Sequence, residues 1–296
     1  MKSRRLISSR LRADALLLGI AAVWGLAFLF QKRAMEHIGP FTFIAVRSLL
    51  ACAALLPLAW RDWRSAADRP ALLRHGLWAG LAFFGGAALQ QAGMVTATVT
   101  NTGFLTSLYV VLTPLAAWLM HRKRPAASIW LAAGLCVVGT WFLSGGQLSA
   151  FSHGDGLVAL SAVFWAFYVI FVRSGSAHQK AAAMTWLQFA FVGILSLPSL
   201  LWAGETVSLS ALGAAWPDLI FVGVISSAGM FTLMSVALRD TPPTEASILL
   251  STEALFAAVA AWWWLDERLT ATAWLGAALI TAATLLAQWK RKGTDA

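Results

Sequence analysis

Charged side chains are scarce in this chain of 296 residues. Asp, Glu, Lys and Arg make up only 12% of it, against about 25% in a typical soluble domain. Hydrophobic residues make up 59%, the mean hydropathy is +0.72, and apolar runs of roughly 20 residues recur. This composition excludes an ordinary soluble protein. It predicts an all-α protein that crosses a lipid bilayer many times.

Cysteine is also rare, with two residues in the chain. Cys52 and Cys136 lie inside apolar runs without metal-site or thiol-redox spacing, so we expect small buried hydrophobes. Signatures of Ser/His/Asp, zinc and phosphate-binding sites are missing, which predicts no cofactor and no metal. The net charge of +9 would suggest nucleic acid in a soluble protein. Basic loops beside a membrane explain that charge, so no nucleic-acid partner is expected.

Ten candidate spans follow one another, joined by short polar links. They cover residues 13–33, 40–60, 73–93, 98–119, 127–146, 155–173, 182–202, 217–238, 243–264 and 271–289. The first follows a basic N-terminus, as in a signal peptide, but no small-x-small cleavage site precedes a polar mature domain. We therefore expect it to be retained as a membrane helix.

Lys and Arg divide unequally between the two sides of this arrangement. An even number of spans leaves both termini on one side, where 18 of the basic residues lie, against three on the other. Because cytoplasmic loops retain Lys and Arg, we predict that residues 1–12 and the tail 290–296 are cytoplasmic. The expected location is a bacterial inner (plasma) membrane. The 16 tryptophans lie mostly near span ends, as an interfacial belt does.

The chain contains an internal repeat with matched residues at steady offsets. At 141 residues the pairs are Asp14 and Asp155, Trp24 and Trp165, and Lys32 and Arg173. At 144 residues they include Ser107 and Ser251, and Trp118 and Trp262. We predict two five-helix repeats, 13–146 and 155–289. Because five is odd, the second repeat is inverted in the membrane, an architecture of secondary transporters with a midplane binding site.

Glu253 is the single charged residue of the stretch 246–265 and lies near the middle of the ninth span. An ionised carboxylate there costs roughly 2.5–3.5 kcal/mol on insertion scales, so it faces the bundle interior, is paired or is protonated. Three roles are open: binding a cationic group of the substrate, carrying a coupling proton, or making a structural hydrogen bond to another helix. Its repeat counterpart, Tyr109, lies at a similar depth.

Arg47 is the one arginine available at depth, about seven residues into the second span. Its guanidinium either receives a substrate carboxylate bidentately or bonds backbone carbonyls at helix ends. Its repeat counterpart, Gln188, lies at the same depth from the opposite face.

Other polar and aromatic residues lie near these positions. Gln90 and Asn101, with several threonines, suit either a vestibule or an exposed turn at the outer end of spans three and four. Trp24 and Trp165 lie about 15 Å into their spans, near the midplane. Together with Tyr168, they either line an apolar cavity or pack between helices.

Three stretches resemble the EamA-type branch of the drug/metabolite transporter superfamily. They read "VWGLAFLFQKRAMEHIGPFTFIAVR", "LQQAGMVTATVTNTGFLTSLYVVLTPLAAWLMHRKRP" and "LLSTEALFAAVAAWWWLDERLTATAWLGAALI". In the third, Ala254 replaces the family's proline, which favours a straighter ninth span, and Asp266 replaces a glycine. The resemblance implies a ten-helix bundle around a central cavity. It places at that cavity Trp24, Arg47, Gln90, Asn101, Tyr109, Trp165, Gln188 and Glu253.

The resemblance and the midplane residues favour a secondary, non-ATP transporter that exports amino acids or similar small amphipathic metabolites by alternating access. The alternatives are an importer or exchanger of small metabolites and, from another class, a non-transporting receptor or scaffold. An intramembrane aspartyl enzyme is not expected, because Asp14 and Asp155 begin spans at opposite faces. We expect a small-molecule substrate and a lipid environment. The sequence specifies neither the substrate nor the direction, the proton coupling or the oligomeric state.

Overall fold

The computed structural model describes residues 2–122, 124–143, 152–178, 180–264 and 270–289. Within those ranges the chain is helical and contains no strand, as predicted. The first repeat comprises α1 (Lys2–Ala34), α2 (Pro40–Arg64), α3 (Arg69–Met94), α4 (Val99–Thr106), α5 (Tyr109–His121) and α6 (Ala127–Leu143). The second comprises α7 (His153–Ser176), α8 (Ala181–Trp202), α9 (Leu209–Ala214), α10 (Trp216–Ile220), a π-helix (Phe221–Met230), α11 (Phe231–Ala237), α12 (Pro243–Leu250), α13 (Glu253–Trp264) and α14 (Ala271–Trp289).

Two predicted features fall at the edges of this description. Helix α1 already begins at Lys2, so the expected cytoplasmic segment 1–12 is helical from its second residue. The predicted tail 290–296 and the Asp266 substitution lie outside the described residues.

Local chemistry explains several helix starts. Pro40 and Pro243 occupy the first positions of α2 and α12, where the missing N–H would have no partner in the helix. Thr98 caps α4 through its side chain. Ser152 and Asp155 cap α7 reciprocally, each side chain accepting from the other residue's backbone N–H.

Eight apolar helical stretches in the described ranges are long enough to cross a membrane. They are Arg10–Ala34, Pro40–Arg64, Arg69–Met94, Val99–Met120, His153–Ser176, Ala181–Trp202, Trp216–Ala237 and Pro243–Trp264. Two shorter apolar helices, Ala127–Phe142 and Ala271–Ala283, occupy the position of the fifth span in each repeat. The chain is therefore a multi-pass membrane protein, and the count of ten spans stays a prediction for those two.

Contacts between helix ends give the relative direction of the two repeats. Lys32, at the end of α1, hydrogen-bonds carbonyls at the end of α3, so these two helices are parallel. Gly93 near the end of α3 touches Gly154 near the start of α7. At the other end of this pair, the rings of His75 and His178 lie 5.1 Å apart. Helices α3 and α7 are therefore antiparallel, and so are α1 and α7, as expected for inverted repeats.

The first helix of each repeat packs against helices of the other repeat. Helix α1 packs against α11 and α13, and its counterpart α7 packs against α3, α4 and α5. The second spans, α2 and α8, pack on each other, as do α6 and α14. The main apolar core is built from both repeats, so their junction is the centre of the molecule.

The fourth span of each repeat is interrupted at the same place. Helix α4 ends at Thr106 and α5 begins at Tyr109. In the second repeat α12 ends at Leu250 and α13 begins at Glu253. Broken helices at membrane depth are tolerated where they line a cavity, and they form binding sites in many transporters.

Hydroxyl side chains accompany both interruptions. The hydroxyl of Ser107 donates to the Phe104 carbonyl at 2.7 Å, and that of Ser251 donates to the Ile248 carbonyl at 2.8 Å. Such local bonds compete with the helix's own backbone bonds. The ninth span is interrupted although Ala254 stands where the family has proline, so this break does not need proline. Whether alanine makes the span straighter than proline would stays a prediction.

Candidate functional site

A small cavity lies where the two repeats meet. Its volume is about 50 Å³, enough for a few water molecules. Its walls are Trp24, Phe28, Gln31, Arg47, Gln90, Thr106, Tyr109, Trp165, Tyr168, Val169, Ser226, Phe231, Met234, Leu250 and Glu253. Helical spacing explains two of these walls: residues 24, 28 and 31 share one face of α1, and residues 165, 168 and 169 share one face of α7.

Seven of the nine predicted site residues lie in these walls. They are Trp24, Arg47, Gln90, Tyr109, Trp165, Tyr168 and Glu253. Their roles in substrate binding remain a proposal, taken up below.

The two interrupted helices each bring their first residue after the break to the cavity. Tyr109 begins α5, and Glu253 begins α13, where the helix N-terminus favours negative charge. The Tyr109 hydroxyl lies near the Glu253 carboxyl, but the two groups do not form a hydrogen bond of ordinary geometry. Glu253 is 3% exposed. Across the described ranges, no lysine or arginine forms an ion pair with it.

Arg47 reaches the cavity from α2 and is 4% exposed. Its Nε and Nη2 donate to the Ser227 hydroxyl at 3.1 and 2.9 Å. Its Cζ lies 5.6 Å from the centroid of the Phe43 ring and 5.4 Å from that of Phe83. These aromatic faces attract the cation. No carboxylate of the described residues pairs with Arg47, so the cavity holds one acid and one base that do not neutralise each other.

Aromatic rings form a continuous wall on one side of the cavity. Phe231 lies 4.5 Å from Trp24, 5.7 Å from Tyr168 and 5.1 Å from Phe83, measured between ring centroids. Phe83 also meets Trp165 edge-to-face at 5.2 Å. Edge-to-face contacts stabilise this arrangement beyond simple burial. The wall suits an apolar or aromatic part of a ligand.

Amide side chains occupy the remaining wall. Gln90 donates to the Thr106 hydroxyl at 2.7 Å, and Gln91 donates to Gln31 at the same distance. These buried bonds hold the glutamines at the cavity while leaving them further hydrogen-bonding capacity.

The other two predicted site residues lie outside the walls. Gln188 sits behind Tyr168 and exchanges hydrogen bonds with its hydroxyl at 3.0 to 3.2 Å, so it supports a lining residue. Asn101 lies at the start of α4, away from the cavity, and donates to Asp155 at 3.3 Å. Asn101 differs from the others because it begins a span, whereas the cavity lies at mid-span depth.

Sequence reasoning missed eight wall residues and Ser227, which bonds Arg47. The eight are Phe28, Gln31, Thr106, Val169, Ser226, Phe231, Met234 and Leu250. Gln31 was detectable, because it is a polar residue inside an apolar run, as Glu253 is. The other residues carried no such signal, since these residue types are common in membrane helices.

The walls of the cavity bring groups of opposite charge close to one another. Its chemistry offers a cation, an acid, amides and aromatic rings. Among the described residues, no group of three or more His, Cys, Asp or Glu could hold a metal ion. Asp14 lies in the N-terminal half of α1, and Asp155 lies in the first turn of α7. Because these helices are antiparallel, the two carboxyl groups lie at opposite ends of the bundle and cannot act as an aspartyl pair.

Comparison with known sequences identifies the family. The profile of the EamA-like transporter family matches residues 11–145 and again residues 152–289. The chain belongs to the EamA-like transporter family. This agrees with the resemblance found in the sequence.

Several relatives of this EamA transporter carry transporter names. An uncharacterized transporter of Archaeoglobus fulgidus is 29% identical over 94% of the chain and 86% of its own length. The uncharacterized transporter YwfM of Bacillus subtilis is 26% identical over 90% of each. The threonine/homoserine exporter RhtA of Escherichia coli K12 is 29% identical, with 58% of each protein aligned.

A solved structure shares the fold. It is titled "Crystal structure of protein" and has a TM-score of 0.75, covering 96% of this chain and 99% of its own. The sequences are 15% identical, so the likeness concerns the fold alone.

Proposed function

We propose that this EamA transporter exports amino acids, or similar small amphipathic metabolites, by alternating access between the two faces of the membrane. One observation carries the proposal: Arg47 and Glu253 line the same cavity without pairing with each other. An amino acid supplies the two missing partners. Its carboxylate suits the guanidinium, and its ammonium suits the glutamate. The aromatic wall around Phe231 then receives its side chain.

Other ligand classes fit less well. A simple cation would leave Arg47 without an anion, and a simple anion would leave Glu253 without a cation. Both outcomes leave an uncompensated charge in a buried site. A polyanion such as a nucleotide would call for several basic side chains, and Arg47 alone among the lining residues is basic.

Glu253 also suits proton coupling. The sequence has no phosphate-binding loop for ATP, so a solute or ion gradient supplies the energy. A single buried carboxylate can hold the substrate ammonium on one crossing and a proton on the return. Such an acid inside a membrane protein marks a substrate or proton pathway by default.

Export is the direction that one set of relatives supports. RhtA is named a threonine/homoserine exporter, and its similarity covers 58% of this chain. The Lys and Arg distribution supports cytoplasmic termini in an inner membrane. Reporter fusions after residue 296 and in the 203–208 link test this orientation. We expect the first reporter to be cytoplasmic and the second periplasmic, and a periplasmic C-terminal reporter would contradict the proposed orientation.

The direct test is counterflow in proteoliposomes with labelled amino acids, with and without a pH gradient. Each transported amino acid is compared with its amide, which lacks the carboxylate, and its N-acetyl derivative, which lacks the ammonium. We expect Arg47→Gln to abolish the preference over the amide, and Glu253→Gln to abolish the preference over the N-acetyl derivative and flatten the pH profile.

Arg33→Gln is the matched control, because Arg33 is half exposed and pairs with Asp218 outside the cavity. The proposal is wrong if the wild type accumulates no amino acid. It is equally wrong if the Arg47 and Glu253 variants behave like the Arg33 variant.

A further inference from the structure

Ser227 stands next to the cavity and holds one edge of Arg47. Its hydroxyl accepts from both Nε and Nη2 of the guanidinium. These two nitrogens form the side edge of that planar group. The end edge, formed by Nη1 and Nη2, makes no hydrogen bond to another described side chain. Ser227 is fully buried, so this arrangement is sheltered from solvent.

The rings of Phe43 and Phe83 restrict the same group from other directions. A carboxylate is bound most strongly by two parallel N–H bonds from one edge of a guanidinium. With the side edge taken by Ser227, the end edge is the one left for a ligand. Ser227 lies within the π-helix, a rare element that is frequent at functional sites.

We infer that Ser227 is a positioning residue that turns the Nη1–Nη2 edge of Arg47 toward the substrate carboxylate. It thereby selects carboxylate-bearing molecules over amides of the same shape. This inference rests on the amino-acid transport proposed above. Without the serine hydroxyl, the side edge of the guanidinium loses both of its hydrogen bonds, and the group can rotate between the two rings away from the two-bond geometry.

The test compares Ser227→Ala, Ser227→Thr and Ser235→Ala in proteoliposomes. Ser235 is the control, because it is buried in the same span and its hydroxyl has no partner. We expect Ser227→Ala to raise KM for the transported amino acid about tenfold, the scale of a hydrogen bond to a charged group. KM for the amide and kcat should stay within about twofold, and Ser227→Thr should restore the wild-type KM.

The inference is overturned if Ser227→Ala matches Ser235→Ala, or if it raises KM equally for acid and amide. Failure of the wild type to transport any amino acid overturns it together with the proposed function. Transport that depends on Arg47 but not on Ser227 overturns this inference alone.

A different observation concerns the two links between the third and fourth spans. In the first repeat, the Lys32 ammonium donates to the carbonyls of Met94, Val95 and Ala97 at 2.6, 3.2 and 3.0 Å. In the second, Arg173 donates to the Arg239 carbonyl at 2.9 Å. Lys32 and Arg173 are repeat counterparts, and so are positions 95 and 239.

Each link also touches the first helix of the other repeat. Asn101, just after the first link, donates to Asp155 at 3.3 Å, and Thr241 in the second link donates to Asp14 at 3.2 Å. Asp14 and Asp155 are again repeat counterparts. We call the first set the Lys32 clamp (Lys32, 94–97, Asn101, Asp155) and the second the Arg173 clamp (Arg173, 239–241, Asp14).

The two clamps lie at opposite ends of the bundle, because the repeats are inverted. Each ties together a cation from its own repeat and an acid from the other. When the repeats rock apart at one face, the clamp at that face loses a partner while the other clamp is kept. Both clamps are formed in this structure, in keeping with a cavity of only about 50 Å³.

The geometry points to the Lys32 and Arg173 clamps as two counterpart latches that close opposite faces of the transporter and open in alternation. This inference rests on the alternating access proposed above. Lys32 and Arg173 hold the links whose neighbouring side chains bond Asp155 and Asp14 of the other repeat. Removing either cation therefore destabilises the conformation that is closed at its own face. Lys32→Met and Arg173→Met should therefore shift the same equilibrium in opposite directions.

The shift is measurable without knowing the substrate. Met234→Cys, in a Cys52→Ser, Cys136→Ala background, places a thiol in the cavity wall. A membrane-impermeant methanethiosulfonate is added to right-side-out or inside-out vesicles. We expect Lys32→Met to speed labelling about tenfold from one side, and Arg173→Met to do so from the other, the scale of losing bonds to a charged group.

Lys180→Met is the matched control, because Lys180 binds the exposed Ser65 hydroxyl outside both clamps. Lys32→Arg and Arg173→Lys keep a donor and should resemble the parent. The inference is overturned if the two Met variants speed labelling from the same side, or if neither differs from Lys180→Met.

Discussion

Gly25 lets helix α1 approach α13 at the level of the cavity. A Cβ added there would lie 2.5 Å from the Cβ of Phe256, 2.6 Å from the Glu253 carbonyl oxygen and 2.8 Å from the Ala257 nitrogen. Ordinary non-bonded separations are about 3.5–4.0 Å. All three neighbours are backbone or Cβ atoms, so rotating a side chain cannot relieve the collision. The two helices must separate by about 1 Å.

We predict that Gly25→Ala destabilises the protein, with Gly19→Ala as its control. Overpacking costs about 1–3 kcal/mol, partly offset by about 1 kcal/mol of improved helix propensity. Gly19 lies in the same helix with nothing within 4 Å of its added Cβ, so only the propensity gain applies there. Thermal unfolding followed by tryptophan fluorescence in detergent should give a lower midpoint for Gly25→Ala and an equal or higher one for Gly19→Ala. Equal midpoints would refute the close approach of α1 and α13.

Two further changes test contacts in the 203–208 link and in the cavity. Glu205 accepts hydrogen bonds from the backbone N–H groups of Phe41 and Thr42 at the start of α2. Glu205→Ala should therefore lower the free energy of unfolding by about 0.5–2 kcal/mol. A thermal midpoint equal to that of Glu36→Ala, a change at an exposed glutamate, would contradict this. Trp165 lines the cavity, and its buried Nε1 has no partner. Trp165→Phe should therefore raise KM for substrate several-fold, about the scale of one hydrogen bond, and an unchanged KM would exclude the indole as a substrate donor.

The architecture was predictable because its signals are long and redundant. A run of apolar residues long enough to span the bilayer admits only a helix, and the matched Asp, Trp and cationic residues of the repeats gave an inverted pair. The same offsets linked Tyr109 to Glu253, and both lie in the cavity wall. Polar residues in the middle of apolar runs were therefore reliable indicators of the centre of the molecule.

Features that depend on local hydrogen bonding were not predictable. The breaks at Ser107 and Ser251 are accompanied by local hydrogen bonds from these small polar side chains, and the π-helix at Phe221–Met230 contains Ser226 and Ser227. Such residues are equally compatible with a straight helix or a packed interface. Asn101 shows why a polar residue at the end of a span can be wrongly placed at the site: its polarity does not reveal which way the side chain points.

The two possible roles of Glu253, functional and structural, predict different effects on stability. In this structure it is buried without an ion-pair partner among the described residues. A charge near the midplane costs roughly 2.5–3.5 kcal/mol on insertion scales. A charged residue that serves binding should therefore destabilise the ligand-free protein, whereas one that serves structure should stabilise it.

We predict that Glu253→Gln, which keeps the shape of the side chain, leaves the ligand-free protein as stable as the wild type or more stable by up to about 3 kcal/mol. The wild type should gain about 2.7 kcal/mol from a transported amino acid at 100 times its Kd, and the variant should lose that gain. The measurement is the thermal midpoint of each protein with and without ligand. A variant that is less stable when empty, yet keeps the full ligand-induced shift, would make Glu253 a structural hydrogen-bonding group and leave the substrate ammonium to another site.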